Sequence, residues 1–240
     1  MLINRTAFSS ALAATSGSTP ASFWYPQYLL GGAIDTSATA FKLSMSQGLI
    51  LPMRLSADQK GAKLDLQAVP IWDGSNAPFV PSTGATPTGS PSAVHYYVAG
   101  QVELAGTLIN GTQNIDIDFG LKPILMGSNG IVYNDFGARE VSEPSITIKT
   151  TDIGNLATIG SLAAGGTAVF YFVAMSAYGG RIAAATASHV KISCALSMAY
   201  VDGIDPSGPT GAAVATIKVK PVWDGGSDDI LVISTASAIS

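Results

Sequence analysis

The side chains of this 240-residue chain that could do chemistry are few and scattered. They are His95, His189, the single cysteine Cys194, and carboxylates in two turns, Asp202-Gly203-Ile204-Asp205 and Asp224-Gly225-Gly226-Ser227-Asp228-Asp229. Nucleophilic catalysis needs a nucleophile and a base that share a hydrogen bond, and no spacing here singles out such a pair. Neither a Gly-Lys loop able to cradle phosphate nor a His-Glu helix motif occurs. Each histidine opens an alternating stretch and is expected on or near a solvent face, while Cys194 is expected as a small core residue. The Asp-rich turns offer the oxygen ligands that Ca²⁺ takes, roughly six to eight of them. Their spacing departs from the EF-hand loop, and Asp and Gly suit a turn for backbone reasons alone. No catalytic residue, cofactor-binding residue or metal ligand is therefore assigned, no cofactor is expected, and the chain reads as a non-enzyme.

Trp72 and Trp223 are the remaining candidates, as platforms on which a sugar could stack. They sit in an echo. Leu64-Asp65-Leu66-Gln67-Ala68-Val69-Pro70-Ile71-Trp72-Asp73-Gly74-Ser75 returns 151 residues later as Ala215-Thr216-Ile217-Lys218-Val219-Lys220-Pro221-Val222-Trp223-Asp224-Gly225-Gly226-Ser227. A third copy without Trp runs from Ile115 through Pro123 to Gly127-Ser128. In each, an alternating strand leaves its sheet through a proline and turns, so Pro70 and Pro221 are expected at sheet margins. Each Trp falls in phase with the inward residues of its strand. Core packing of both indoles is expected, with each Asp capping its turn and the two strands in comparable positions of two related sheets.

The elements around these residues alternate with period two. Phe41, Leu43 and Met45 form one face of a strand, Leu49–Leu55 the next, and Lys63–Trp72 completes a first hairpin after the turn Asp58-Gln59-Lys60-Gly61. Residues 73–92 carry Pro78, Pro81, Pro87 and Pro91 and are either an ordered excursion or a mobile loop. Residues 94–128 read as a second hairpin turning at Asn110-Gly111, with a bulge or bend at Gly100 and Gly106. Residues 129–145 read as loop, Ser145–Thr150 and Thr167–Met175 as strands, and Val190–Tyr200 as the cleanest alternation in the chain, pairing with the Pro221 strand as a third hairpin. Ile230–Ile233 is expected as a last buried strand. The 28-residue uncharged run from Ile153 to Gly180 contains Asn155 and the β-prone Val169-Phe170-Tyr171-Phe172-Val173, which suits a buried strand and not a membrane span.

The expected fold is all-β: an antiparallel β-sandwich or jelly-roll-like unit, or two related β half-domains, with an extended N-terminal arm. Its parts are the arm at 1–22, holding a short helical stretch at 5–14, a first β half at 23–128 and a second at 129–240, within one compact unit. The arm is too poor in large apolar groups to fold alone and leads into Phe23-Trp24-Tyr25-Pro26-Gln27-Tyr28, an aromatic anchor for its own domain or for a neighbouring subunit.

Composition narrows the partners. Only 12% of residues are charged while 47% are hydrophobic, too few charges to clothe an isolated monomer in the usual way. With a net charge of −4 and 12 Lys and Arg scattered singly, direct nucleic-acid binding is not expected. One cysteine allows no intrachain disulfide, and the N-terminus lacks the basic-then-apolar pattern of a signal peptide, so synthesis in a cytoplasm is expected.

A charge-poor, disulfide-free chain rich in Gly, Ala, Ser and Thr, with a small-residue arm and proline-rich loops, resembles the structural proteins of bacteriophage particles: capsid, decoration and jelly-roll coat proteins. The resemblance implies a virion subunit that forms or decorates the capsid through homo-oligomeric contacts, as a trimer or a larger lattice, and meets other virion proteins. Two alternatives stay open: a tail or fibre component, or a β-sandwich binding module presenting residues 73–92 and 202–211 to a host-surface glycan.

Overall fold

Period-two alternation becomes strand throughout the described residues, which are 2–3, 21–25, 40–84, 96–127, 130, 132–156, 166–176, 179–206, 213–223 and 230–239 of a computed structural model. The strands are β1 (Leu2–Ile3), β2 (Ala21–Tyr25), β3 (Ala40–Met45), β4 (Gln47–Asp58), β5 (Ala62–Ile71), β6 (Val80–Gly84), β7 (Tyr96–Leu104), β8 (Thr107–Ile109), β9 (Thr112–Asp118), β10 (Leu121–Met126), β11 (Phe136–Val141), β12 (Ser145–Thr150), β13 (Gly166–Met175), β14 (His189–Asp205), β15 (Val214–Val222) and β16 (Val232–Ser237). Every registered pairing among the described residues is antiparallel, giving an all-β fold of sandwich type. The helical stretch expected at 5–14 and His95 lie outside the described residues, as do Asp224–Asp229.

The chain does not divide at residue 128. One compact unit takes Met1–Met53, Leu66–Ser92 and Leu121–Ser142; the other takes Arg54–Asp65, Ala93–Gly120 and Glu143–Ser240. The reason lies in β4 and β5, long strands whose two ends serve different sheets' cores.

In the first unit a sheet of order β1-β2-β3-β6 forms one layer. Phe23 and Met45 from this layer bury against Ile50, with Leu43, Leu66, Ala68 and Phe79 closing the cluster. Leu49, Leu51 and Val69 point the other way into a second cluster. The start of β4 is thus buried on both faces, which is why Leu49-Ile50-Leu51 reads as a continuous apolar run. Gly137 of β11 lies against Ile71, where a Cβ would meet its Cγ2 at 3.0 Å. Of the N-terminal arm, Leu2–Ile3 pair with Trp24 and Phe23 of the same chain. The proline-rich stretch after Asp73 holds β6, an edge strand in which Pro81 costs the sheet nothing because its outer side has no ladder to join.

In the second unit the strands run β9-β12-β15-β14-β13-β7-β8. β13, β14 and β15 form a meander and β12 lies beside β15, a Greek-key order. The sheet curls until β7 comes back alongside β9. The second hairpin expected from sequence does not form, because β7 turns at once into β8. Ala105 (φ 49°) and Gly106 (φ 79°) both sit in the left-handed region that a two-residue type I′ hairpin requires. β9 instead pairs with β4 and β12. Residues 129–145 also depart from expectation: β11 forms there, its register against β10 running from Phe136↔Met126 to Val141↔Leu121.

The Trp-containing echo is not a structural duplication. β5 ends its sheet's strand order, whereas β15 is paired on both sides through Val219. Pro70 lies on that terminal strand and Pro221 faces Leu196 past the end of the β12 ladder, both at margins as proline requires. Trp72 is half-buried and on the face opposite Val69 and Ile71, and Trp223 is 60% exposed, so the expected core packing of the indoles is corrected. Trp223 keeps the inward phase, but β15 stops at Val222 and the described residues leave the next rung open. β16 pairs with β14 on the same side as β15: Val222 faces Ala195 and Val232 faces Ser193. The connection between Val222 and Val232 therefore begins and ends on what is otherwise one continuous edge. β16 is not buried as expected, with Val232 and Ile233 exposed.

His189 is the other correction. It is fully buried, not on a solvent face. Its Nδ1 accepts from the Ala174 N–H at 3.0 Å and its Nε2 donates to the Ala183 carbonyl at 3.0 Å, tying the start of β14 to the end of β13 and the loop between them. Removing the ring strands a buried N–H and opens a cavity, so His189→Ala should cost about 2–4 kcal/mol in urea unfolding. Trp223→Ala should change stability by less than about 0.5 kcal/mol in the same assay.

Candidate functional site

The described residues with catalytic potential are engaged in structural contacts. Both ring nitrogens of His189 are engaged by backbone. Burial pushes the Cys194 thiol up to about 12, far from a thiolate nucleophile. Asp202 pairs with Lys218 across β14 and β15 at 3.0 Å. Asp73 caps its turn as expected, accepting from the Ser75 and Asn76 N–H groups at 2.9 and 2.6 Å. The Asn76 side chain and these two backbone bonds hold its carboxyl well below the usual range. Among the described residues no three His, Cys, Asp or Glu side chains gather in a way that could hold a metal ion.

The outer face of β4, β9 and β12 is polar in every row. Ser56, Asp116 and Thr147 lie abreast, with Arg54 reaching over to chelate the Asp116 carboxylate through Nε (2.7 Å) and its terminal nitrogen. Such exposed pairs add little stability, and the face, with its alternating charge, forms a broad open depression of about 740 Å³ lined by Arg54, Asp58, Asp116, Asp118, Thr147 and Lys149 among others.

A cleft of about 470 Å³ opens elsewhere in the second unit, between Val98–Gln101 of β7, the turn Ile109–Thr112, and Met175 with Arg181. The turn is held by a latch of hydrogen bonds. Asp152 accepts from the Asn110 N–H at 3.0 Å and from the Asn155 side chain at 2.9 Å, and Thr150 Oγ1 donates to the Asn110 carbonyl at 2.6 Å. Gly111 has φ 62°, and a Cβ there would sit 2.3 Å from Thr151 Oγ1, so glycine is required where the two turns touch. Arg181 is fixed by a backbone bridge to Met175. Sequence reading found the Asn110-Gly111 turn but neither Thr112 nor Arg181 as lining residues, since nothing in the pattern brings residues 69 positions apart together.

The third feature is apolar. At the free end of the β10–β11 ribbon, Ile124 and Leu125 are each 39% exposed and Met126 53%. Beside them stand Tyr133 and Val132, the latter 92% exposed. Successive strand residues point to opposite faces, so apolar side chains are exposed on both faces of β10 at this end. The run Ile124-Leu125-Met126 breaks alternation, and that was the available sequence signal. No family model matches the chain, and no curated protein matches it by sequence.

The latch yields a pH prediction. Hydrogen bonding from the Asn110 N–H, the first cause, and from Asn155 depresses the Asp152 carboxyl below its ordinary 3.8. A group whose folded value is depressed contributes stability above its unfolded value and loses it as pH falls through the folded one. Asp152→Ala should lower the urea midpoint at pH 7, and the gap to the parent should narrow as pH drops below 3.8.

Proposed function

We propose that this chain is a structural subunit of a virus particle of the bacteriophage kind, made in the host cytoplasm and held in the capsid, or on its surface, by contacts with further copies of itself and with other virion proteins. The observation that carries the reading is the β10–β11 ribbon, whose end offers Met126 and Val132 to solvent beside Ile124, Leu125 and Tyr133. A group of exposed apolar side chains is stabilised when another surface covers it. The occupant is a second copy: with only 12% charged residues and a net charge of −4, the chain offers a surface on which like charges between copies are sparse. Sparse charge and the antiparallel sandwich architecture support a role in assembly. A tail or fibre component would use the same contacts. A glycan-binding module is the second reading, favoured by the exposed indole of Trp223.

Sedimentation velocity over a hundredfold range of concentration tests the proposal. The parent should associate into species larger than a dimer. The double variant Met126→Lys, Val132→Lys should stay monomeric to at least tenfold higher concentration with an unchanged circular dichroism spectrum, a loss of roughly 1.4 kcal/mol or more per contact. A parent that remains monomeric throughout, or a variant that assembles identically, would overturn it. Electron microscopy of the associated species separates a lattice or ring from a fibre.

A further inference from the structure

We infer that the cleft beside the Ile109–Thr112 turn binds a sugar carrying one carboxylate. The argument is independent of the assembly reading, because none of the cleft's residues lies in the β10–β11 ribbon.

The cleft's volume of about 470 Å³ falls within the range of roughly 300–1,000 Å³ typical of small-molecule sites. Its charge is one-sided. Arg181 is the only ionised side chain among the lining residues, and no Asp or Glu lines it. That favours an anion, and a planar guanidinium suits a carboxylate in particular, through two parallel N–H···O bonds. The backbone that carries this group is fixed: Ser176 N–H donates to the Gly180 carbonyl at 2.8 Å and Ile182 N–H to the Ala174 carbonyl at 3.1 Å, setting Arg181 opposite Met175 with its side chain exposed.

The remaining polar lining points to hydroxyls. Gln59 and Asn110 carry amides, which donate and accept at once, as sugar hydroxyls do. The Gln59 amide is steered by its 3.3 Å bond to Gln113. Thr112 lines the cleft, and its Oγ1 is buried without a hydrogen-bond partner among the described residues. A buried hydroxyl left unpaired is costly, so a ligand seated against Thr112 gains when a turn of the side chain brings Oγ1 to one of its hydroxyls. Val98 and Met175 add an apolar patch fit for the C–H face of a pyranose ring.

Amide chemical shifts followed by NMR during titration with sodium glucuronate, glucose and sodium acetate test this. Glucuronate should move the resonances of residues 98–101, 109–112 and 175–181 and bind at least tenfold more tightly than either glucose or acetate. Arg181→Gln should bring glucuronate down to the glucose level. Thr112→Val, which keeps the side-chain shape, should weaken glucuronate and glucose alike by about threefold to tenfold. Equal binding of acetate and glucuronate would reduce the cleft to a simple anion site and overturn the proposal. So would an absence of shifts with glucuronate, or an affinity unmoved by Arg181→Gln. If Thr112→Val fails to fold, the Arg181→Gln comparison decides alone, since that side chain is exposed.

Discussion

Two rows of aliphatic side chains hold the second unit in register. Ala57, Ile115, Ile148, Ile217 and Val201 face one another across β4, β9, β12, β15 and β14, and Leu55, Ile117, Ile146, Val219 and Ala199 form the neighbouring row. Ile115, Ile117, Ile146, Ile148, Ala215, Ile217 and Val219 are essentially without exposure. A slip of one residue in any of these strands would carry its isoleucines to the face now held by Ser56, Asp116 and Thr147, and bring Asp and Lys inside. The penalty for burying those charges makes the register nearly unique. Everything described around the cleft follows from it: β9 is held where its first residue, Thr112, and the preceding turn meet the Thr150–Asp152 segment.

The period-two rows were legible because one face is wet and one dry. β14 announced itself through Ile192, Cys194 and Leu196 alternating with Lys191, Ser193 and Ala195, and β9 and β15 did the same. Where both faces are covered, as in Leu49-Ile50-Leu51, the alternation vanishes and only a strand's existence is readable. Where a strand is mostly exposed, as in β10, or lies in a short ribbon, as β11 does, polarity no longer reports orientation. Trp223 shows another limit. Phase predicts which way a side chain points and says nothing about whether a neighbour is there to meet it.

His189 was misread for a related reason. A polar ring at the head of a strand looks like a surface residue unless something else in the chain needs its two nitrogens. Here Ala174 and Ala183 supply a donor and an acceptor that no ladder satisfies, and neither is recognisable in sequence because backbone groups carry no residue type. The cleft was hidden in the same way: Thr112 and Arg181 come together only through the curl of the sheet and the tight return after β13.

The placement of β15 and β16 along one edge of β14 fixes both ends of the connection between Val222 and Val232. The chain departs at the rung of Ala195 and returns at that of Ser193, so the anchors are fixed by ladder hydrogen bonds whatever lies between them. Lengthening such an excursion adds only loop-closure entropy, about 0.6 kcal/mol for each doubling. The protein thus carries a grafting position: foreign peptides could be spliced there for surface display, and in the course of evolution the same position could change its cargo while the sheet beneath stayed as it is.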